Sequence, residues 1–333
     1  MNKKIYRAAI KGLIGLTLCG GVATYGVGSY FVRYALVPKS GGDDRKVKKT
    51  ATAKSQKKKS DSVHAREDLE RDRWLKEVLP LTHRRTITSK DGLKLVGHEF
   101  IQPHDKTTNN WLMIVHGYQS SEKESQLLAR HFYQMGYNVF TMSLRAHRPS
   151  EGQYIGMGYL DKDDLKQWTE DLLQRHPDSR IIYHGTSMGG ATVMMAAGDK
   201  PNPRVLGVID DCGFSSVWNI FGSELDKRFN LPTFPVLDMA RVMGEVKAGY
   251  DIKDGEVINY AKKIHMPALL VHTKGDDFVP VKMTEELYKA IPGKDKKKVI
   301  YQRGGHAAAK FMYLDRYYKE MADFTKRVFQ GKN

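Results

Sequence analysis

The chain predicts an α/β architecture, a mainly parallel twisted sheet with helices on both faces, and three observations carry that expectation. Short apolar runs at 111–115, 137–144, 180–183, 205–209, 268–271 and 298–301 have the length of buried strands. Stretches with helical spacing, 122–135, 161–175, 188–197 and 281–290, lie between most of them, the rhythm of a parallel sheet covered on both sides. Just ahead of the alternation, residues 85–89 and 93–101 flank the turn Lys90-Asp91-Gly92, which reads as a β-hairpin. With 333 residues and 41% hydrophobic content, one large domain with an extension is expected.

The extension comes first. Residues 12–32 contain no charged side chain and are bounded by Lys11 and Arg33, about the 20 residues that a helix needs to cross a bilayer. The run exceeds the apolar core of a cleaved signal, and Tyr30 and Phe31 close it as an interfacial belt would. Residues 1–36 are therefore expected to be an uncleaved N-terminal transmembrane anchor. Residues 37–65, rich in Lys, Ser and Gly and poor in large apolar side chains, are expected to be a disordered basic linker. The α/β body is expected over 66–333.

The formal charge of +16 raises the question of nucleic acid, and its distribution answers it. Residues 1–65 hold 14 Lys and Arg against 3 acids, so the body is only mildly basic. A solubilising tether, lying along anionic wall polymer or anionic lipid, fits this better than a surface that reads nucleic acid, and no specific nucleic-acid partner is expected. The two cysteines, Cys19 and Cys212, form no disulfide framework and lack the companion ligands of a zinc site. Within the body, residues 214–264 are too long for one crossover helix. They carry Trp218, Phe221, Phe229, Phe234, Met239 and Met243 at loosely helical spacing, as a small helical subdomain or a lid over an apolar pocket would.

Gly185-Thr186-Ser187-Met188-Gly189 begins where the strand at 180–183 ends and runs into a helix. Glycines flanking such a turn let the backbone lift a serine hydroxyl above the sheet. The same turn puts the N–H of Met188 at a helix start, where it can stabilise an oxyanion. A serine nucleophile needs a base. In sheet enzymes built on this elbow the acid and then the histidine follow the serine along the chain. Of the histidines after Ser187, His265 and His272 belong to the strand near 268, whereas His306 lies in a loop, Gly304-Gly305-His306-Ala307, directly after a later strand. The acid is expected after the strand at 268–271, where Asp276 and Asp277 compete, with Asp210 and Asp211 in reserve. His116-Gly117-Tyr118 follows the strand at 111–115, the usual source of a second oxyanion N–H, here that of Tyr118. The side chain of His116 is expected to be structural.

These residues together resemble the α/β-hydrolase superfamily, in particular its serine-aminopeptidase and monoacylglycerol-lipase-like branch and the membrane-anchored cell-surface hydrolases of Gram-positive bacteria. The resemblance covers about residues 84–330. Residues 143–152, with Ser143-Leu144-Arg145-Ala146-His147 and Ser150-Glu151-Gly152, look like the branch's D-x-R-G-H-G-x-S-x-G segment but depart from it at Ser143, Ala146 and Arg148. The family pattern G-D-x-D-x-x-V-P, counted back from Pro280, implies Asp276 as the acid, with Lys274 replacing the pattern's first Asp. The likeness implies an α/β-hydrolase fold with a helical lid insertion at about 214–264 and a serine hydrolase with the triad Ser187, Asp276 and His306. It also implies an oxyanion hole from Tyr118 and Met188, without metal or organic cofactor. A small or lipid-like carboxylic ester is the expected substrate and the membrane, through residues 12–32, the expected partner, with the catalytic domain outside the cytoplasm. A peptidase on the same triad and a non-catalytic binding protein on the same fold are the alternatives.

Overall fold

The computed structural model describes residues 21, 22, 24–38 and 51–331. Helix α1 (residues 24–36) and helix α2 (Ala51–Glu77) precede the sheet. The hairpin follows as β1 (Thr82–Thr88) and β2 (Lys94–Phe100), with Gly92 in the positive-φ region at its turn, φ +87°. Then come β3 (Asn110–Val115), α3 (Glu122–Gln134), β4 (Asn138–Ser143), α4 (Asp161–Arg175), β5 (Arg180–Thr186), α5 (Met188–Gly198) and β6 (Val205–Asp211). The insertion contributes α6 (Val217–Phe229), α7 (Thr233–Ala248) and the short α8 (Val257–Ala261). After it run β7 (Ala268–Thr273), α9 (Val281–Ala290), β8 (Lys296–Tyr301), α10 (Ala309–Met312) and α11 (Leu314–Gln330).

The eight strands are ordered β1-β2-β4-β3-β5-β6-β7-β8. The hairpin and its contact with β4 are antiparallel and every other pair is parallel. Strand alternation sorts the core into two layers. Trp111, Met113 and Val115 of β3 join Trp168, Tyr183 and the insertion on one face. Leu112 and Ile114 join Phe132, Tyr317 and Phe324 on the other. All six expected strands of the alternation and the hairpin are present, and the sequence pattern differs from them chiefly at their ends.

The region ahead of the sheet differs from expectation. Residues 51–65, expected within the disordered linker, are the first half of α2. Ala, Lys, Arg and Glu are good helix formers, and the second half of the same helix is fixed to the body, so one continuous helix gains from both. Glu67 accepts from Arg130 and His131 of α3, each at 2.7 Å, and Trp74 packs on Phe100 with ring centroids 4.9 Å apart. Residues 39–50 of that linker lie outside the described residues.

Of the expected anchor, residues 1–20 and 23 lie outside the described residues, and among the described residues no helix is long and apolar enough to cross a membrane. The part that is described, α1, packs on the insertion. Val32 and Leu36 are buried, Phe31 and Tyr34 each meet the ring of Phe229 edge-on at 5.1 Å, and a Cβ at Gly28 would overlap the carbonyl oxygen of Met239 on α7.

In the segment after β4, Arg145 bonds Asp164 at 2.7 Å and Asp91 of the hairpin turn at 2.8 Å, both through its guanidinium. Ala146, where the resembling segment has glycine, keeps a left-handed backbone with φ 59°, a conformation that costs a residue with a Cβ about 1–2 kcal/mol. Its N–H donates to the Glu151 carbonyl at 2.9 Å.

Candidate active site

Strand β5 ends at Thr186 and α5 begins at Met188, so Ser187 alone makes the turn, with φ 58° and ψ −117°. A side chain is rarely held there without constraint from its surroundings. The constraint is backbone crowding. A Cβ at Gly185 would overlap the Gly189 carbonyl oxygen, and one at Gly189 would overlap that of Val115. At Gly190 a Cβ would overlap Asp210 Oδ1. The Ser187 N–H donates to the Asp211 carbonyl at 2.8 Å and fixes the turn to β6.

His306, in the loop after β8, brings Nε2 to 2.8 Å from Ser187 Oγ, and its Nδ1 lies 2.7 Å from Asp276 Oδ2. With Asp276 accepting from Nδ1–H, Nε2 is left to accept the serine proton. Oδ1 of Asp276 accepts the N–H groups of Phe278 and Val279, both at 2.9 Å. Burial opposes the charge on Asp276, but the positive field of His306 and hydrogen bonds from His272 and His306 outweigh it and hold this carboxyl well below the ordinary range. The neighbouring Asp277 is exposed, and its carbonyl accepts from Lys227 at 2.6 Å. Asp210 accepts from the Gly213 N–H and Asp211 from the Tyr317 hydroxyl, so neither serves His306. Between the two adjacent aspartates, the local turn therefore gives the contact to Asp276.

The loop after β3 closes over the serine. A Cβ at Gly117 would stand 3.3 Å from that of Ser187. Tyr118 follows, and its hydroxyl donates to the Ala35 carbonyl at the end of α1, 2.7 Å away. Met188 opens α5. His116 is buried and joins two loops: its Nε2 accepts from Leu144 N–H at 3.1 Å, which leaves Nδ1–H to donate to the Gly117 carbonyl at 2.9 Å. Burial drives its pKa down to about 3, so it stays neutral, as expected of a structural histidine.

Sequence reasoning left His272 to its strand. The residue is indeed in β7, but its Nε2 faces both the Val279 carbonyl, at 2.9 Å, and Asp276 Oδ2, at 3.2 Å, while Thr284 Oγ1 lies 2.7 Å from Nδ1. A carbonyl only accepts, so Nε2 carries the hydrogen. The signal available in the sequence was the four-residue spacing between His272 and Asp276.

Among the described residues, two clusters have metal-compatible residue types, Cys212 with Asp276 and His306, and His64 with Asp68 and Glu124. Burial raises the Cys212 thiol well above its ordinary range, so the thiolate that a metal needs is disfavoured. In the second cluster Arg71 already pairs with Asp68.

The family described as serine aminopeptidase, S33, matches residues 106–220. The uncharacterized protein YqkD of Bacillus subtilis is 30% identical over 244 residues, 73% of this chain and 78% of its own. The uncharacterized protein YfhR of Escherichia coli K12 is 24% identical over 257 residues, 74% and 81% of the two chains. Among solved structures, the esterase Pf2001 of Pyrococcus furiosus superposes with a TM-score of 0.61 at 21% identity, over 74% of this chain and 91% of that one.

Proposed function

This chain belongs to the α/β-hydrolase superfamily, and on that premise we propose that it is a serine hydrolase that cleaves a carboxylic ester through an acyl-enzyme on Ser187. The observation that carries the reading is the unbroken hydrogen-bond chain Ser187–His306–Asp276, with 2.8 and 2.7 Å links, on a strained elbow. Ser187 Oγ attacks the ester carbonyl as His306 Nε2 takes its proton, and the carboxylate of Asp276 stabilises the imidazolium that forms. The N–H groups of Met188 and Tyr118 receive the oxyanion. The imidazolium then gives its proton to the departing alcohol, and water, deprotonated by the same histidine, releases the acid and restores Ser187.

An ester is favoured over an amide because an alcohol leaves more easily than an amine; the esterase named among the structural neighbours agrees with it. The match to a family described as serine aminopeptidase favours peptide cleavage as the second reading. The uncharged residues ahead of α1 support attachment to a membrane, with α1 as the junction to the body. The test is labelling of the full-length chain by a fluorophosphonate, with Ser187→Ala as control, followed by turnover of p-nitrophenyl esters against aminoacyl p-nitroanilides. Labelling and ester turnover that vanish in the variant are expected. Faster Ser187-dependent cleavage of the anilides would make it a peptidase, and a folded wild type that labels with nothing would sink both readings.

A further inference from the structure

The cavity beside Ser187 and His306 has a volume of about 550 Å³, within the range of small-molecule sites, and its walls divide by chemistry. Phe31 and Ala35 of α1 line it together with Leu225 and Phe229 of α6 and Ala240 of α7, a mainly apolar set interrupted by the ion pair of Glu224 and Arg228 on α6, 2.7 Å. Ser60 and His64 of α2 line it with Glu124 and Ser125 of α3 and Lys310 of α10, a polar set. Each set is tied to a different one of the loops around Ser187. The apolar one is joined to Tyr118, whose hydroxyl is held by Ala35; the polar one is joined to the His306 loop through Lys310 Nζ, which donates to the Ala307 carbonyl at 3.1 Å.

Charges in the polar wall, which Asp61 also lines, are mostly paired. His64 bonds Glu124 at 3.0 Å and stacks on Phe311 at 4.3 Å, and Lys310 Nζ stands 3.9 Å from Asp211 Oδ2. What that set offers a ligand is hydrogen bonding without a large net charge. The buried hydroxyls of Ser125 and of Thr186, which also line the cavity, have no hydrogen-bond partner among the described residues, an arrangement folded proteins usually avoid.

We propose that α1 and α2, the two helices ahead of the sheet, are parts of the substrate site: α1 walls a pole for an apolar acyl chain, and α2 walls a pole for a hydrogen-bonding alcohol. The assignment rests on the ester reading above and follows its chemistry. The alcohol oxygen lies on the side of His306, which leaves the acyl chain the wall where Tyr118 meets α1. The alcohol must receive its proton from His306, on the side where Lys310 and α2 stand.

The experiment uses the full chain and compares ratios of kcat/KM. For p-nitrophenyl octanoate over acetate, the wild type is expected to favour the longer acid by at least tenfold, since each buried methylene contributes up to about fourfold. Ala35→Trp, which fills the apolar pole, is expected to lower that ratio at least tenfold, and Phe31→Ala, which enlarges it, to move the preferred acid to a longer chain. For 2-hydroxyethyl over butyl octanoate, the wild type is expected to favour the hydroxylated alcohol about tenfold. His64→Leu is expected to bring this second ratio near one. Should Ala35→Trp fail to fold, Phe31→Ala carries the acyl arm. Ratios that are flat in the wild type, or that stay put in the variants while Ser187-dependent turnover persists, overturn the two-pole assignment and leave the esterase standing. No Ser187-dependent turnover of any ester overturns both.

Discussion

The nucleophile elbow and the helical cap line one cavity and are held by opposite means. At the elbow, backbone touches backbone: Gly185 and Gly189 leave no room for a Cβ, and Ser187 is tied to β6 through its own N–H. In the cap, made of α1, α6 and α7, side chains meet side chains through ring edges at Phe31, Tyr34 and Phe229, with one close backbone approach at Gly28, while Phe234 and Val246 remain 75% and 72% exposed. A site for chemistry tolerates little displacement, because a misplaced nucleophile loses orders of magnitude. A site for substrate choice can be rebuilt one side chain at a time. On the proposed function, the reaction and its selectivity are maintained by different kinds of contact.

The largest expected effect removes the chemistry and leaves both regions folded. Ser187→Ala and Asp276→Asn should each lower kcat about 10⁴-fold, with thermal unfolding moved by no more than a few degrees; a loss under tenfold in either would remove that residue from the proposed triad. Next comes the elbow's backbone. Gly189→Ala should lower Tm by about 10 °C or more, or prevent folding, as expected for an overlap between backbone atoms. Phe229→Ala, in the cap, should cost about 2 kcal/mol, a Tm change of about 5 °C, and raise KM for long-chain esters more than it lowers kcat. If the two substitutions prove equally damaging to stability, the contrast between the regions fails.

The last effect is a pH dependence beneath the elbow. Burial raises the Asp210 carboxyl to about 7, and one of its oxygens, Oδ2, has no partner among the described residues. A carboxyl with a raised folded pKa keeps a proton that the unfolded chain releases. Stability therefore falls as pH rises from about 4 to about 7, and the full penalty is present above that. Asp210→Asn removes the titration, so the Tm of the variant relative to wild type should rise between pH 5 and pH 8. A difference that does not change over this interval would show that Asp210 does not titrate there.

What could be read from the sequence was whatever local order and backbone chemistry determine. The strands announce themselves by short apolar runs, the elbow by its glycines, and His306 by its place after the last strand. Asp276 needed the family pattern, because two adjacent aspartates differ only in which way the turn points them. The wall that α1 gives the cavity was hidden because it comes from more than 80 residues away from the loop that it touches, as Ala35 is from Tyr118, whereas the share of residues 214–264 was expected. The Lys-rich start of α2 resembled a tether, since the contacts that fix the helix begin near His64 and Glu67, toward its middle. α11 left a readable signal in Tyr317, Met321, Phe324 and Val328, spaced for one helical face and all buried.

One feature of α1 reaches beyond the pocket. The helix touches α7 at Gly28, holds Tyr118 through Ala35 and accepts the Ile155 N–H on Leu36, 2.7 Å away. Three points of attachment along one short rod remove its freedom to swivel. Residues 24–36 therefore turn with the domain as one body, and the wall that they give the cavity keeps its place against Ser187.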